Sequence, residues 1–231
     1  MKLSQKTIEV FKYFSTLSPS ILVREGNVLR TRNQAKTIST KAELDESFPQ
    51  EFVIYSIPEF LKTINLFNEP EIEFNDSHMI IQEGSLKVRY MYAAKELYQN
   101  APENKDYVPS NVNWSMTINL SEEELNNIQK ASNVLNLNTV SFTQDGILVY
   151  SDKNKDANNF KMNYKEFPSL LKIDTDYPKD FSINFPSVNF NLFSGEYEAE
   201  FSCSSRTSVK LTNKEDNVVV WLAANPSSSI I

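Results

Sequence analysis

Apolar residues recur at helical spacing in four short segments, and each segment runs into stretches rich in strand formers. In the first, Ser4 stands where an N-cap is needed. At about 100° per residue, Leu3, Thr7, Ile8, Val10, Phe11, Phe14 and Leu17 fall on one half of the helix. Lys2, Gln5, Lys6, Glu9, Lys12, Tyr13 and Thr16 fall on the other. The second segment, Ser56 to Phe67, has Ser56 and Glu59 at capping-box spacing and Pro58 in the first turn, where it is tolerated. Ile57, Phe60, Leu61, Ile64 and Phe67 form its core face; Glu59, Lys62, Asn65 and Leu66 point away. The third starts at Ser121 with Glu124 three residues on. Leu125, Ile128, Ala131 and Leu135 point inward, and Glu122, Asn126, Lys130 and Asn133 outward. The fourth, Pro186 to about Ser194, is short and weak, with Val188 and Leu192 as core positions.

Between these segments the chain reads as strand and hairpin. Glu25-Gly-Asn and Gln144-Asp-Gly are tight-turn signals, the first within a hairpin from Ile21 to Arg32. Glu71 to Ala93 reads as a three-stranded meander turning at Asn75-Asp-Ser and Glu83-Gly-Ser, and Glu196 to Ala223 repeats it. With four glycines in the chain, Asn, Asp and Ser carry many of the turns.

The elements occur in the same order twice. Ser4-Gln-Lys-Thr-Ile-Glu-Val-Phe and Ile21-Leu-Val-Arg-Glu-Gly-Asn-Val-Leu are echoed by Ser121-Glu-Glu-Glu-Leu-Asn-Asn-Ile and Val140-Ser-Phe-Thr-Gln-Asp-Gly-Ile-Leu-Val. Val53-Ile-Tyr-Ser-Ile-Pro is echoed by Phe181-Ser-Ile-Asn-Phe-Pro, and Tyr90-Met-Tyr-Ala-Ala by Val220-Trp-Leu-Ala-Ala. Self-similarity on this scale means two copies of one helix-plus-sheet unit. The polar, twice-prolyl stretch from Lys95 to Pro109 has neither period and reads as a connection. The expected division is a domain over 1–97, a linker over 98–112 and a second domain over 113–231. The fold class is α+β, each domain two short helices laid on antiparallel sheet.

At 40% hydrophobic residues the chain is globular. No apolar run reaches the roughly 18 residues that span a bilayer, and Met1-Lys-Leu-Ser leads straight into a polar helix, so neither a membrane anchor nor a signal peptide is expected. The single cysteine, Cys203, excludes an internal disulfide and a cysteine-based zinc cluster. The net charge of −7 argues against a uniformly basic nucleic-acid binder, but leaves room for one basic face on an acidic body. Catalytic constellations are missing. His78 is the only histidine and sits in a predicted strand; neither a phosphate-binding loop nor a dinucleotide-binding turn is present. Glu122-Glu-Glu fits the N-terminal end of a helix dipole. Ser151-Asp-Lys-Asn-Lys-Asp lacks the glycine and closing glutamate of a calcium loop. No enzyme activity, metal or cofactor is expected.

The ordered set resembles a known family. The opening Met-Lys-Leu-Ser, the first helix, the Ile21 to Arg32 segment and the duplicated length resemble the DNA sliding clamps of T-even-like bacteriophages, the processivity factors of DNA polymerases. The resemblance covers the whole chain in order and spacing and is densest over the first 32 residues. It implies the DNA-clamp fold and a homotrimer closed head to tail into a pseudo-sixfold ring, with helices lining the hole. Double-stranded DNA would thread that hole without sequence specificity. Lys2, Lys6, Lys12, Lys62 and Lys130, with Gln5, Asn65 and Asn126, would then face it, a lining polar enough to touch phosphate yet weak enough to slide. Glu9 and Glu59 share those faces and dilute their charge. Lys153, Lys155 and Arg206 are further loop candidates. The resemblance also implies a pocket near the linker and last strand for peptides of partner proteins, with Tyr98, Tyr107, Val108, Trp221 and Pro226 as its candidates. The implied partners are a DNA polymerase and a clamp-loader ATPase; late-transcription factors are a further implication that no residue here supports separately. The setting would be the cytoplasm of an infected bacterial host. The alternative is a duplicated β-rich virion or scaffold protein without DNA binding; an enzyme with an unrecognised site ranks third.

Overall fold

A computed structural model describes residues 1–98, 114–153, 158–163, 171–173, 180–202 and 208–230. The chain divides into two compact units, Met1–Asp106 and Tyr107–Ile231.

The N-terminal unit runs α1 (Gln5–Leu17), β1 (Ile21–Val23), β2 (Gly26–Arg32), β3 (Ile38–Phe48), β4 (Phe52–Ile54), α2 (Ile57–Ile64), β5 (Glu71–Phe74), β6 (His78–Glu83) and β7 (Leu86–Met91). Ser4 caps α1 by accepting the Thr7 N–H at 3.2 Å, and Pro19 lies just past the helix end, where it blocks continuation. Ser56 caps α2 in the same way, with Pro58 in its first turn as expected. The helices pack on each other through Phe11 and Phe60, whose rings meet edge to face at 5.4 Å. Phe11 also meets Phe48 of β3, so helices and sheet share one core.

Two expectations fail in this unit. Tyr13, placed on the outer half of α1, is buried, with its ring against Phe14. The helix packs against both α2 and β3, so its buried arc is wider than half the wheel. The Ile21 to Arg32 segment is not a hairpin. β1 pairs antiparallel with β4 and β2 with β3, so the chain changes partner at the turn before Gly26. Gly26 has φ +106°, a conformation that glycine takes without a Cβ penalty. The meander of β5, β6 and β7 is as expected.

The C-terminal unit contains β8 (Trp114–Leu120), α3 (Glu122–Leu135), β9 (Thr139–Thr143), β10 (Gly146–Tyr150), β11 (Asn159–Asn163), β12 (Leu171–Ile173), β13 (Phe181–Pro186), β14 (Tyr197–Ser202), β15 (Ser208–Asn213), β16 (Val218–Ala223) and β17 (Ser229–Ile230). Its strands pair in the orders β11-β10-β9-β13-β17 and β12-β8-β14-β15-β16, every pair antiparallel. Phe142, Phe185, Phe190 and Phe201 are all buried and join these sheets in one aromatic core.

The fourth predicted helix is a single 3-10 turn, Ser187–Phe190. Ser, Val, Asn and Phe are poor helix formers, and the groups that would extend the turn are taken. Gln129 of α3 donates to the Phe190 carbonyl at 2.6 Å, and the Ser187 N–H and hydroxyl bond Asn138 and Leu137 carbonyls. Its buried residues are Asn189 and Phe190, whereas the expected core position Val188 is 74% exposed and Leu192 is half-buried. Leu135, expected inside, is at the surface of α3, and Ser132 is buried instead.

Candidate nucleic-acid interface

The duplicated helices begin at equivalent caps solved in two ways. In α3 the capping box is local: the Ser121 hydroxyl receives the Glu124 N–H, and the Glu124 carboxylate receives the Ser121 N–H at 2.7 Å. In α1 the position equivalent to Glu124 is Thr7, which cannot do this. The carboxylate comes instead from Glu46 on β3, which accepts the Ser4 N–H and the Thr7 hydroxyl, the latter at 2.6 Å. A further parallel lies just upstream. Met1 and Ile72 exchange both backbone hydrogen bonds at 2.8 Å, as the β8 residues pair with β14 in the other unit. These contacts fix the start of α1, and with it the residues expected to face DNA.

Burial pushes the Glu46 carboxyl up, but hydrogen bonds from Thr7 and Ser4 outweigh it, leaving its pKa below the ordinary 4.5. A carboxyl depressed by folding stabilises above the unfolded value, and that contribution is lost as pH falls through the folded one. Glu46→Ala is expected to cost about 1 kcal/mol at neutral pH, as loss of a cap does. In urea denaturation followed by far-ultraviolet circular dichroism, the gap between variant and parent should close as pH drops below about 4.5. A gap that stays constant with pH would show that the carboxylate charge is not what caps α1.

The lysines expected on the outer faces divide into groups. Lys12, Lys62 and Lys130 are exposed and make no ion pair among the described residues. Asn65 and Asn126 are exposed beside them on α2 and α3. Lys6 is half-buried and engaged within the chain. Gln5 donates to Glu9 at 2.9 Å, and Lys2 is paired with Glu69 at 3.1 Å. A cleft of about 440 Å³ opens between the start of α1 and the loop after α2, lined by Lys2, Gln5, Asn65, Asn68 and Glu69 over an apolar floor. A cleft of about 700 Å³ in the C-terminal unit is rimmed by Glu123, Glu196, Glu198 and Glu215, with Lys214 paired to Glu198 at 3.1 Å, a net negative rim that disfavours phosphate. Exposed lysine and amide side chains therefore stand on α1, α2 and α3, with carboxylates such as Glu9, Glu59 and Glu123 exposed on the same helices.

Residues 2–101 match the family of DNA polymerase processivity factors. The chain is 28% identical over 205 residues to the sliding clamp of Vibrio phage KVP40, spanning 86% of this chain and 89% of the relative. It is 25% identical over 233 residues to the sliding clamp of Enterobacteria phage T4, spanning 97% and 98%. The chain thus resembles the sliding clamps of these phages along most of its length. The fold agrees: a solved structure of A. fulgidus PCNA with the C-terminal region of FEN-1 superposes with a TM-score of 0.65 at 12% identity, covering 99% of this chain and 98% of that one. These similarities are to processivity factors and do not support the virion or scaffold alternative.

Of the residues suggested for partner binding, the structure describes Tyr98, Trp221 and Pro226. Tyr98 is packed with Leu22, Val53 and Ala93, and burial pushes its phenol up. Trp221 is buried on β16, and Pro226 is exposed beyond it. Tyr107 and Val108 lie outside the described residues, as do Lys155 and Arg206, while Lys153 is exposed in the turn after β10. His78 lies within hydrogen-bond reach of Ser77 and Arg89. Sequence reading missed Glu46, Glu69 and Glu83. Glu46 is 42 residues from Ser4, and Glu83 accepts the Asn68 and Glu69 N–H groups from 15 and 14 residues away. The only signal was negative, a capping serine at Ser4 without its glutamate.

Proposed function

We propose that three copies of this chain close head to tail around duplex DNA and hold a DNA polymerase at the primer end, acting by tethering and without catalysis. The observation that carries this reading is the placement of Lys12, Lys62 and Lys130 on the solvent sides of α1, α2 and α3, whose other sides are buried in their own units. Topological enclosure needs no tight contact, so a sparse lining of lysine and amide serves it. Tethering raises the polymerase's effective concentration at the primer rather than its intrinsic rate.

Edge strands favour the assembly. Among the described residues β7 is paired on one side, to β6, and exposes Leu86 and Met91; β11 is paired on one side, to β10. A strand edge left open on each unit can be completed by the next copy, and a heterologous contact of this kind closes into a ring when its rotation permits. Partners would include a clamp-loader ATPase, since the chain shows no nucleotide-binding motif to open a ring itself. Polymerase and other factors would dock through short peptides, with exposed Pro226 marking one candidate segment. The setting would be the cytoplasm of an infected bacterium.

The test is retention on nicked circular DNA after loading. Linearising the circle should release the protein, and light scattering should give about three times 26.5 kDa. Equal retention on circular and linear DNA, or a persistent monomer at every concentration, would defeat the proposal.

A further inference from the structure

The candidate DNA-facing lysines are not equivalent. Lys12, Lys62 and Lys130 make no ion pair among the described residues, whereas the Lys2 ammonium sits 3.1 Å from the Glu69 carboxylate. Both partners are solvent-exposed, at 54% and 78%. The geometry of this pair is set by backbone on both sides. Met1 exchanges two hydrogen bonds with Ile72, fixing the chain entering Lys2. The Glu83 carboxylate accepts the Asn68 and Glu69 N–H groups at 3.0 and 3.1 Å, fixing the loop that carries Glu69. Those two hydrogen bonds hold the Glu83 carboxyl below its usual range, and Glu69 holds the Lys2 ammonium charged. Lys2, Glu69 and Asn65 line the same cleft beside α1 and α2.

We propose that Glu69 is a positioning residue for DNA contact: it competes with phosphate for Lys2 and so weakens the clamp's grip on the duplex. This rests on the reading that the helix faces meet DNA. An exposed ion pair is worth little, so a passing phosphate can displace the carboxylate and be displaced in turn. A buried pair would lock Lys2 away; an unpaired lysine would add a standing phosphate contact. The fixed loop makes Glu69 return to the same place after each exchange. The contact at Lys2 is therefore transient by construction, which suits a protein that must move along DNA.

The experiment is a double-mutant cycle on the full-length protein, with Lys2→Ala, Glu69→Gln and both together. Affinity for a short linear duplex is read by fluorescence anisotropy between about 50 and 200 mM salt, the range over which phosphate contacts declare themselves. Glu69→Gln should tighten binding about two- to fivefold per chain copy, the span of an exposed ion pair. It should also steepen the log affinity against log salt slope by about 0.9 for each Lys2 that reaches a phosphate. In the Lys2→Ala background the same substitution should do nothing. Tightening that persists undiminished without Lys2 would mean Glu69 acts only through the general field, and the proposal would be wrong. So would an unchanged affinity and slope for Glu69→Gln alone. If substituting Lys12, Lys62 and Lys130 also leaves the slope unchanged, the DNA-facing reading fails; if that substitution flattens the slope, only the role of Glu69 is lost.

Discussion

Replacing Phe142 by alanine is expected to lower the stability of the C-terminal unit by about 3–5 kcal/mol. Phe142 on β9 is completely buried, and its ring lies 4.8 Å from Phe201 on β14, 5.7 Å from Phe190 in the 3-10 turn and 6.0 Å from Phe185 on β13. The ring therefore ties together two sheets and the short turn that replaces a helix. Its neighbours are phenylalanines fixed on strands or pinned by Gln129, so they have little freedom to collapse into the hole, and the cavity cost adds to the lost transfer free energy. Both tryptophans of the chain, Trp114 and Trp221, belong to this unit, so intrinsic fluorescence during urea unfolding reports on it selectively. A loss below about 1 kcal/mol would show that the four-ring cluster is not the core it is taken to be.

The second large effect concerns function. Changing Lys12, Lys62 and Lys130 together to alanine should flatten the salt dependence of duplex binding by about 0.9 in log–log slope for each phosphate contact removed, roughly 3.5-fold in affinity per contact between about 50 and 200 mM salt. Processive synthesis should fall accordingly, and most at higher salt. The three side chains are exposed and make no ion pair among the described residues, so fold stability should change by no more than about 0.5 kcal/mol. Light scattering should show the same oligomer as the parent. An unchanged slope with unchanged processivity would remove these helix faces from the DNA contact.

Much of the architecture was legible because duplication and local chemistry are both written along the chain. Ser56 with Glu59 and Pro58 marked the start of α2, and Ser121 with Glu124 that of α3, since a cap uses groups within one turn. The meander from Glu71 to Met91 followed from alternation and turn residues, which are equally local. The failures all involve partners distant in sequence. Tyr13 is buried because α1 is covered from two directions, a fact about α2 and β3 rather than about the helix. Strand β1 pairs with β4, some thirty residues on (Ile21 with Ile54), so the turn at Gly26 is a change of partner and not a hairpin. Among the site residues, exposure of Lys12, Lys62 and Lys130 was readable from the wheel, while neutralisation of Lys2 by Glu69 was not.

By itself, then, the sequence determined two repeats of a helix-plus-antiparallel-sheet unit, the exposure of Lys12, Lys62 and Lys130 on its helices, and the absence of recognisable catalytic motifs in the chain. These follow from periodicity and short-range hydrogen bonding, which act over a few residues. Tertiary structure alone decided which strands pair, that the fourth helix shrinks to one turn under Gln129, and which carboxylate serves which backbone. Those outcomes depend on groups brought together over tens of residues, where many pairings satisfy the same local pattern and only packing of the whole unit selects one.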